Sequence, residues 1–269
     1  MKHTLRLLTL LFLALSFSLA SAQAADIVPV GQVVGGDGQG ALIRQAPVNG
    51  VQLGYKLMGT GQPLVLIPGL GGTMDQWPGR VLEVLAKTYQ LILVDNRGMG
   101  FSTANAESFS YGLYAADVVG LLDALGVKKA HVLGFSMGST IAQQLLVDAP
   151  GRIGKAVLLS TTTDGGFVAA ALKGRTFDNP VVLRQLEATA RWRSPLDKLS
   201  AVPNQTLLLV GTADNVVGTE SSKTLAATIP GAWLVQFRNA THGLVLEMPN
   251  EFLRLVLTFL DTGEVARGN

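Results

Sequence analysis

The sequence predicts an α/β protein with a mostly parallel, eight-stranded sheet and helices on both faces. Short apolar runs, typical of buried strands, alternate along the chain with longer segments of helical pattern. Hydrophobic residues make up 48% of the 269 residues and charged residues 15%, a composition that favours a folded unit over a disordered chain. This length accommodates one large domain, which we place at residues 25–269.

The predicted elements begin with a hairpin. Residues 25–40, which end in GGDGQG, have the composition of a flexible lead-in. The following segment, ALIRQAPVNGVQLGYKLMG, predicts two strands joined by Asn49-Gly50, a favoured hairpin turn. Because this hairpin precedes the first parallel strand, we expect it to form an antiparallel edge of the sheet.

Strands and helices then alternate to the end of the chain. Six further strands are predicted at 63–67, 90–95, 130–135, 155–160, 205–211 and 232–237. Helices are predicted at 81–89, at 114–125, after Ser136 as far as Pro150, at 219–229 and from Pro249 onward. In a sheet of this kind, functional residues collect in the loops that follow the carboxyl ends of the strands.

The first 24 residues have the pattern of a secretory signal peptide. A basic head, MKHTLR, precedes a mostly apolar run of 13 residues, and the small residues Ala22 and Ala24 predict cleavage after Ala24. The run is shorter than the roughly 20 residues that span a bilayer, so no stable membrane anchor is expected. We therefore expect the mature protein to be periplasmic or secreted.

The composition of the mature chain excludes several kinds of site. Loss of Lys2 and Arg6 with the signal peptide leaves 19 basic residues against 19 acidic ones, and this balance gives no indication of a nucleic-acid partner. The chain has no cysteine, which excludes disulfides, a thiol nucleophile and cysteine-based metal sites. We expect no cofactor and no metal, and a small molecule as the partner.

Ser136 lies in the stretch VLGFSMGST, at the junction of a predicted strand and a predicted helix. Gly134 and Gly138, two residues away on either side, fit a cramped backbone turn that pushes the serine oxygen outward. A serine hydroxyl is a poor nucleophile until a base removes its proton. A catalytic role for Ser136 therefore requires a histidine.

Two histidines remain after the predicted cleavage. His242, in RNATHGLVL, follows the last strand, where its loop can reach the serine. His131 begins a strand and so lies at the opposite end of the sheet, which indicates a structural residue. His242 is the predicted base.

The imidazole also needs a carboxylate to fix its tautomer. Asp214 follows the strand at 205–211 and gives the chain order Ser, Asp, His, with each residue after its own strand. Asp164, after the preceding strand, is the alternative. Asp117 and Asp123 lie on a predicted helix face, where we expect them to be solvated.

A tetrahedral intermediate needs hydrogen-bond donors for its oxyanion. The backbone N–H of Met137, at the start of the helix after the serine, is one donor. The second is expected in the loop IPGLGGTMDQW, where three glycines in five residues let the backbone approach a substrate, and Leu70 is the predicted donor. A phosphate-binding loop is disfavoured because no Gly-Lys-Ser/Thr follows.

Together these motifs resemble the α/β-hydrolase superfamily over roughly residues 50–262. The resemblance is carried by GFSMG, PGLGG, DNRGMGFS, GTADNVV and THG. It implies a triad of Ser136, Asp214 and His242. Pro68-Gly69 stands where many relatives have His-Gly, but a backbone donor does not depend on that side chain.

The superfamily resemblance predicts a serine hydrolase that cleaves small carboxylic esters or lactones through an acyl-enzyme. The same triad serves carbon–carbon bond hydrolases, peptidases and perhydrolases in this superfamily, so the fold leaves the substrate open. A non-catalytic binding protein on a hydrolase scaffold is the alternative from another class. In DNRGMGFS, Asp95 and Arg97 are expected to brace their loop.

Relatives commonly carry a helical cap after the strand at 155–160, and residues 161–204 are available for a small one of two or three short helices. Within it, Arg184, Arg191 and Arg193 are expected to face solvent. Residues expected to pack over the site are Val182, Leu183, Leu186 and Trp192. Bulky residues expected at the mouth are Trp77, Phe101, Phe135 and Phe167. A small cap over a bulky lining predicts a preference for short acyl groups.

Overall fold

The computed structural model describes residues 27–38 and 40–263, and the strands of this part of the chain form one sheet. The predicted signal peptide at 1–24 lies outside the described residues. The strands are β1 (Gln32–Gly36), β2 (Leu42–Val48), β3 (Val51–Met58), β4 (Gln62–Ile67), β5 (Tyr89–Val94), β6 (Ala130–Phe135), β7 (Ile153–Leu159), β8 (Thr206–Gly211) and β9 (Trp233–Phe237).

The sheet order is β1-β2-β3-β5-β4-β6-β7-β8-β9. Pairings among β1, β2, β3 and β5 are antiparallel, and the remaining pairings are parallel. Asn49 and Gly50 turn the β2–β3 hairpin with φ angles of 45° and 73°, as a two-residue turn of this type requires. The predicted mostly parallel sheet with an antiparallel leading edge is confirmed.

The prediction of eight strands is wrong by one, because β1 lies within the segment expected to be a flexible lead-in. It pairs antiparallel with β2, and the register shifts between Val33 and Gly35. The sequence QVVGG joins two β-branched residues to two glycines, and glycine weakens the strand pattern. Pairing with β2 supplies the hydrogen bonds that the local sequence alone does not indicate.

Helices cover both faces of the sheet. They are α1 (Gly79–Leu85), α2 (Tyr111–Ala124), α3 (Met137–Asp148), α4 (Gly165–Ala171), α5 (Pro180–Arg191), α6 (Leu196–Leu199), α7 (Glu220–Thr228), α8 (Leu244–Glu247) and α9 (Pro249–Asp261). Helices α4, α5 and α6 lie between β7 and β8, where the cap is expected, and we call them the cap. Within residues 27–38 and 40–263, none of the helices has the length and apolar composition of a transmembrane span.

Two hydrophobic clusters form the core, one on each face of the sheet. Along β4, Val65 and Ile67 belong to the cluster packed with α2, α3 and α7, whereas Leu64 and Leu66 belong to the cluster packed with α1, α8 and α9. A strand that is buried on both faces reads as a continuous apolar run. This is why the parallel strands are visible in the sequence.

Asp117 of α2 was expected to be solvated, and the structure corrects this. Its side chain is 3% exposed and pairs with Arg97, whose Nη2 lies 2.6 Å from Asp117 Oδ1. The partner comes from the loop after β5, so the pattern of the helix alone does not reveal it. Asp123, on the same helix, is 62% exposed as expected and pairs with Arg152.

Candidate active site

Ser136 occupies a sharp turn between β6 and α3. Its φ and ψ angles are 53° and −117°, a conformation that costs a non-glycine residue ~1–3 kcal/mol. A Cβ on Gly134 would overlap the Gly138 carbonyl, and a Cβ on Gly138 would overlap the Ile67 carbonyl. Glycine is therefore required at both flanking positions, and the strained turn presents the Ser136 side chain at the carboxyl edge of the sheet.

His242 lies between Asp214 and Ser136. Its Nε2 is 3.0 Å from Ser136 Oγ, and its Nδ1 is 2.9 Å from Asp214 Oδ2. Asp214 follows β8 and His242 follows β9, so the three side chains meet from loops after three different strands. The structure thus brings together the three residues that the sequence predicts as a triad.

The Asp214 carboxylate is buried and accepts three hydrogen bonds. Besides His242, it accepts hydrogen bonds from the N–H groups of Val216 and Val217, at 3.0 and 3.1 Å. Burial alone would raise its pKa, but the hydrogen bond and charge of His242 and the two backbone donors together hold the pKa of Asp214 below its ordinary value. An ionised Asp214 accepts a hydrogen bond from the Nδ1–H of His242, which leaves Nε2 as the acceptor that faces Ser136.

The two rival residues lie elsewhere. Asp164 caps α4 by accepting a hydrogen bond from Gly166 N at 2.7 Å, and it pairs with Arg193 on the exposed side of the cap. His131 is buried near the start of β6, where its Nδ1 accepts a hydrogen bond from Lys155 N at 2.8 Å. Burial, assisted by the charges of Lys155 and Lys129, lowers the pKa of His131 to about 4.

The loop after β4 is held by two glutamine side chains on either side of Leu70. Gln76 Oε1 accepts a hydrogen bond from Gly69 N, and Gln185 Oε1 accepts one from Gly71 N, each at 2.8 Å. The Leu70 N–H between them has no acceptor among the described residues. Met137 N, in the first turn of α3, has no partner within its helix, as is general for the first residues of helices. These two groups are the ones that the sequence predicts as oxyanion donors.

The four predicted mouth residues divide. The Phe135 ring lies beside the His242 imidazole, with 5.1 Å between ring centroids, and Trp77 meets Phe135 edge-on at 6.5 Å. Phe167, on α4 of the cap, is 55% exposed. The Phe101 ring instead packs against Gly35 of β1, so the structure does not bring it to the triad.

The cap also differs in part from expectation. Val182 and Trp192 are buried as predicted, whereas Leu183 is 48% exposed. Arg184, expected to face solvent, stacks on the Phe109 ring at 3.8 Å. A cation and an aromatic ring from distant segments cannot be paired from the helix pattern alone.

Sequence reasoning missed several polar residues that support the site. Gln185 lies on the apolar face of α5, three residues after Val182, and this polar interruption of a buried stripe is a signal that could have found it. Thr189, one turn further, bonds the Tyr111 hydroxyl at 3.0 Å. Glu247 accepts hydrogen bonds from the N–H and the hydroxyl of Thr241, and so closes the loop that carries His242.

Two family models match the chain. One describes the alpha/beta hydrolase fold and matches residues 62–195, and the other, described as a TAP-like protein, matches residues 185–269. The chain belongs to the α/β-hydrolase superfamily. The sequence resemblance to this superfamily is therefore confirmed, and so is the fold class.

Several named proteins are similar to this α/β-hydrolase in sequence or in structure. A Mycobacterium tuberculosis protein, provisionally named a non-heme bromoperoxidase, is 44% identical over 112 residues, which span 41% of this chain and 42% of that protein, less than half the length of either. The 2-hydroxymuconate semialdehyde hydrolase of Pseudomonas sp. strain CF600 is 27% identical over 82% of this chain and 98% of its own. The structure of esterase RhEst1 from Rhodococcus sp. ECU1013 has a TM-score of 0.68 and 26% identity, covering 82% of this chain and 98% of that chain.

Proposed function

We propose that this α/β-hydrolase is a serine hydrolase that cleaves small carboxylic esters, including lactones, through an acyl-enzyme. The observation that carries the proposal is the continuous hydrogen-bond chain from Asp214 through His242 to Ser136 Oγ. A neighbouring pair of backbone donors, at Leu70 and Met137, supports the same chemistry. The esterase of similar fold adds further support.

In the acylation step, His242 Nε2 takes the proton of Ser136 Oγ as that oxygen attacks the ester carbonyl carbon. The carbonyl π electrons move to the carbonyl oxygen, and the N–H groups of Leu70 and Met137 donate hydrogen bonds to the resulting oxyanion. When the tetrahedral intermediate collapses, the alkoxide leaves with the proton from His242. The acyl group remains on Ser136 Oγ.

Deacylation repeats these steps with water as the nucleophile. His242 Nε2 takes a proton from the water molecule as its oxygen attacks the acyl carbon, and the same two N–H groups stabilise the second oxyanion. Collapse breaks the bond to Ser136 Oγ, which recovers its proton from His242. The products are a carboxylic acid and the free enzyme, with no cofactor consumed.

A fluorophosphonate probe tests the nucleophile. The wild-type protein should be labelled on Ser136, because the activated hydroxyl attacks phosphorus as it attacks a carbonyl carbon. Ser136→Ala should stay folded, take up no label and turn over esters on the order of a millionfold more slowly. Mass spectrometry of the labelled peptide and kcat on p-nitrophenyl butanoate are the measurements. Label on another residue, or more than about a tenth of wild-type activity in the variant, would refute the assignment.

Short acyl groups are the proposed substrates because the cap lies close to the loop after β4 that carries Leu70, which we call the oxyanion loop. A Val182 methyl group is 3.4 Å from the position that a Cβ on Gly71 would occupy, and Trp77 with Phe135 adds bulk beside His242. Across p-nitrophenyl esters from acetate to palmitate, kcat/KM should be highest at or below butanoate and fall roughly tenfold or more by decanoate. Ser136→Ala supplies the background rate. A maximum at long chains would overturn the size assignment and leave the triad intact.

A second candidate is hydrolysis of a carbon–carbon bond next to a carbonyl group. The observation that favours it is the match to a relative named 2-hydroxymuconate semialdehyde hydrolase over 98% of that relative's length. The same triad could serve either reaction. Comparison of kcat/KM for 2-hydroxymuconate semialdehyde and for p-nitrophenyl butanoate separates the two candidates.

A further inference from the structure

Gln185 is a fully buried residue of the cap that reaches the oxyanion loop. Its Oε1 accepts the hydrogen bond of Gly71 N at 2.8 Å, across 114 residues of sequence. The reverse orientation of the amide would set its NH2 group against the Gly71 N–H, donor against donor. The Gly71 contact therefore fixes which end of the amide is oxygen and which is nitrogen.

The Nε2 group of Gln185 has no hydrogen-bond partner among the described residues. Buried side-chain amides normally have partners, and an unmet donor is unfavourable. Gln143, equally buried on α3, follows this rule: its Nε2 donates to Thr161 Oγ1 and Thr162 O, and its Oε1 accepts from Ser194 Oγ. Gln185 Nε2, by contrast, is a buried donor that the described residues leave unmatched.

Hydrogen bonds and packing contacts hold Gln185 in position. Its backbone carbonyl accepts a hydrogen bond from Thr189 Oγ1, which also bonds the hydroxyl of Tyr111 on α2. Val182, one turn earlier, packs over Gly71. The amide is thus held against the residue that follows Leu70, about one Cα spacing, ~3.8 Å, along the chain from the proposed oxyanion donor.

We propose that Gln185 is a substrate-binding residue whose Nε2 donates a hydrogen bond to a second acceptor oxygen on the acyl part of the ester. The inference rests on the proposed function, because the acyl group reaches Gln185 only if its carbonyl oxygen binds at the Leu70 N–H. It narrows the substrate class to short acyl groups that carry an ether, hydroxyl or carbonyl oxygen near the scissile carbonyl. A site built to bond such an oxygen disfavours the analogue that lacks it.

Matched pairs of esters test this assignment. Methoxyacetate and butanoate p-nitrophenyl esters have acyl groups of the same heavy-atom count, but only the first has an ether oxygen, and 3-methoxypropanoate and pentanoate form a second pair one atom longer. Gln185→Leu removes the donor at similar volume. In at least one pair, it should lower kcat/KM for the ether ester about fivefold more than for the alkyl ester. Taking the ratio of wild type to variant cancels the intrinsic reactivity of the esters.

Gln143→Leu is the matched control, since it removes a buried amide whose partners are all within the chain. It should lower stability and leave the ether-to-alkyl ratio unchanged. If Gln185→Leu does not fold, the wild type still gives a test: its ether-to-alkyl ratio of kcat/KM must exceed the ratio of the hydroxide hydrolysis rates. Equal losses on both members of both pairs, or a wild-type ratio no larger than that of hydroxide, would overturn the inference alone. No turnover of any of the four esters by the wild type would overturn the proposed function and the inference with it.

Discussion

The contacts of Asp214 distinguish it from Asp164 as the partner of His242. Asp214 is buried and accepts three hydrogen bonds. Asp164 instead lies at the N-terminus of α4, where it accepts a hydrogen bond from Gly166 N and pairs with Arg193. Asp214→Asn should lower kcat on the order of 10⁴-fold, because an amide accepts no hydrogen bond at its nitrogen and permits the wrong imidazole tautomer. Asp164→Asn, the matched control, should change kcat by no more than a few fold. Steady-state kinetics of both variants on p-nitrophenyl butanoate decide, and a larger loss from Asp164→Asn would transfer the role.

At this scale, the sequence predicts residues whose role depends on where a strand ends. Ser136, Asp214 and His242 each follow a strand, and parallel strands end at the same edge of a sheet, so their proximity could be anticipated. Gln185 could not be paired with Gly71, because no local pattern joins residues 114 positions apart. The position of Phe101 could not be predicted either, because its ring packs on β1, a strand that the sequence does not reveal.

Between elements, the ion pair of Arg97 and Asp117 joins the loop after β5 to α2. Both side chains are buried, and Arg97 donates from Nε and Nη2 to the two carboxylate oxygens. Asp117→Asn leaves a buried guanidinium without its counter-charge and should lower the free energy of unfolding by about 3–5 kcal/mol. Urea denaturation measures the loss.

The exposed pair of Asp123 and Arg152 supplies the control on the same helix. Asp123→Asn should change the free energy of unfolding by less than ~1 kcal/mol, as is usual for a surface ion pair. Equal losses from the two substitutions would show that the buried pair of Arg97 and Asp117 contributes no more to the free energy of unfolding than the exposed pair. Replacing Arg97 and Asp117 together by Met and Leu should cost less than the sum of the single changes, because no charge is left unpaired.

Strands and helices differ in how well the sequence predicts them. The central parallel strands were predicted within a residue or two at each end, since burial on both faces produces uninterrupted apolar runs. The sequence does not reveal β1, because this strand is stabilised by pairing with β2 and its own residues do not show a clear strand pattern. Helix α8 is only four residues long and was not predicted either, because a single turn is too short to show the helical period of apolar residues.

The stability of the whole molecule should depend on pH through His131. Its pKa is about 4 in the folded protein and about 6.5 when exposed, so the unfolded chain binds the proton more readily between these values. The contribution is fully present above about pH 6.5 and is lost as pH falls through 4, for a total of about 3 kcal/mol. Urea denaturation at a series of pH values from 7 to 4 measures it.

His131→Asn separates this effect from other titrations. An asparagine oxygen can accept the Lys155 N–H in place of Nδ1 and does not titrate in this range. The variant should therefore lose less stability than the wild type as the pH falls from 6.5 to 4. Parallel pH profiles for the two proteins would contradict the assignment.

Several contacts tie the cap to the rest of the molecule. Gln185 bonds Gly71, Thr189 bonds Tyr111, and Arg184 donates to two carbonyl groups of the loop after β5 while it stacks on Phe109. The partners are Gly71 and four residues within 105–111, all of which precede the cap in sequence. The cap is thus joined at several points to the surroundings of the candidate active site.

These ties limit the recombination of caps among related proteins. A grafted cap that lacks a glutamine at the position of Gln185 would leave the Gly71 N–H without its acceptor, and the backbone around Leu70 would lose one of its two supports. An active chimera would have to take α5 and the loop after β4 from the same parent protein, as one unit. Variation confined to the outward side of α5, at positions such as Leu183, leaves that unit undisturbed and is the more permissive route to new specificity.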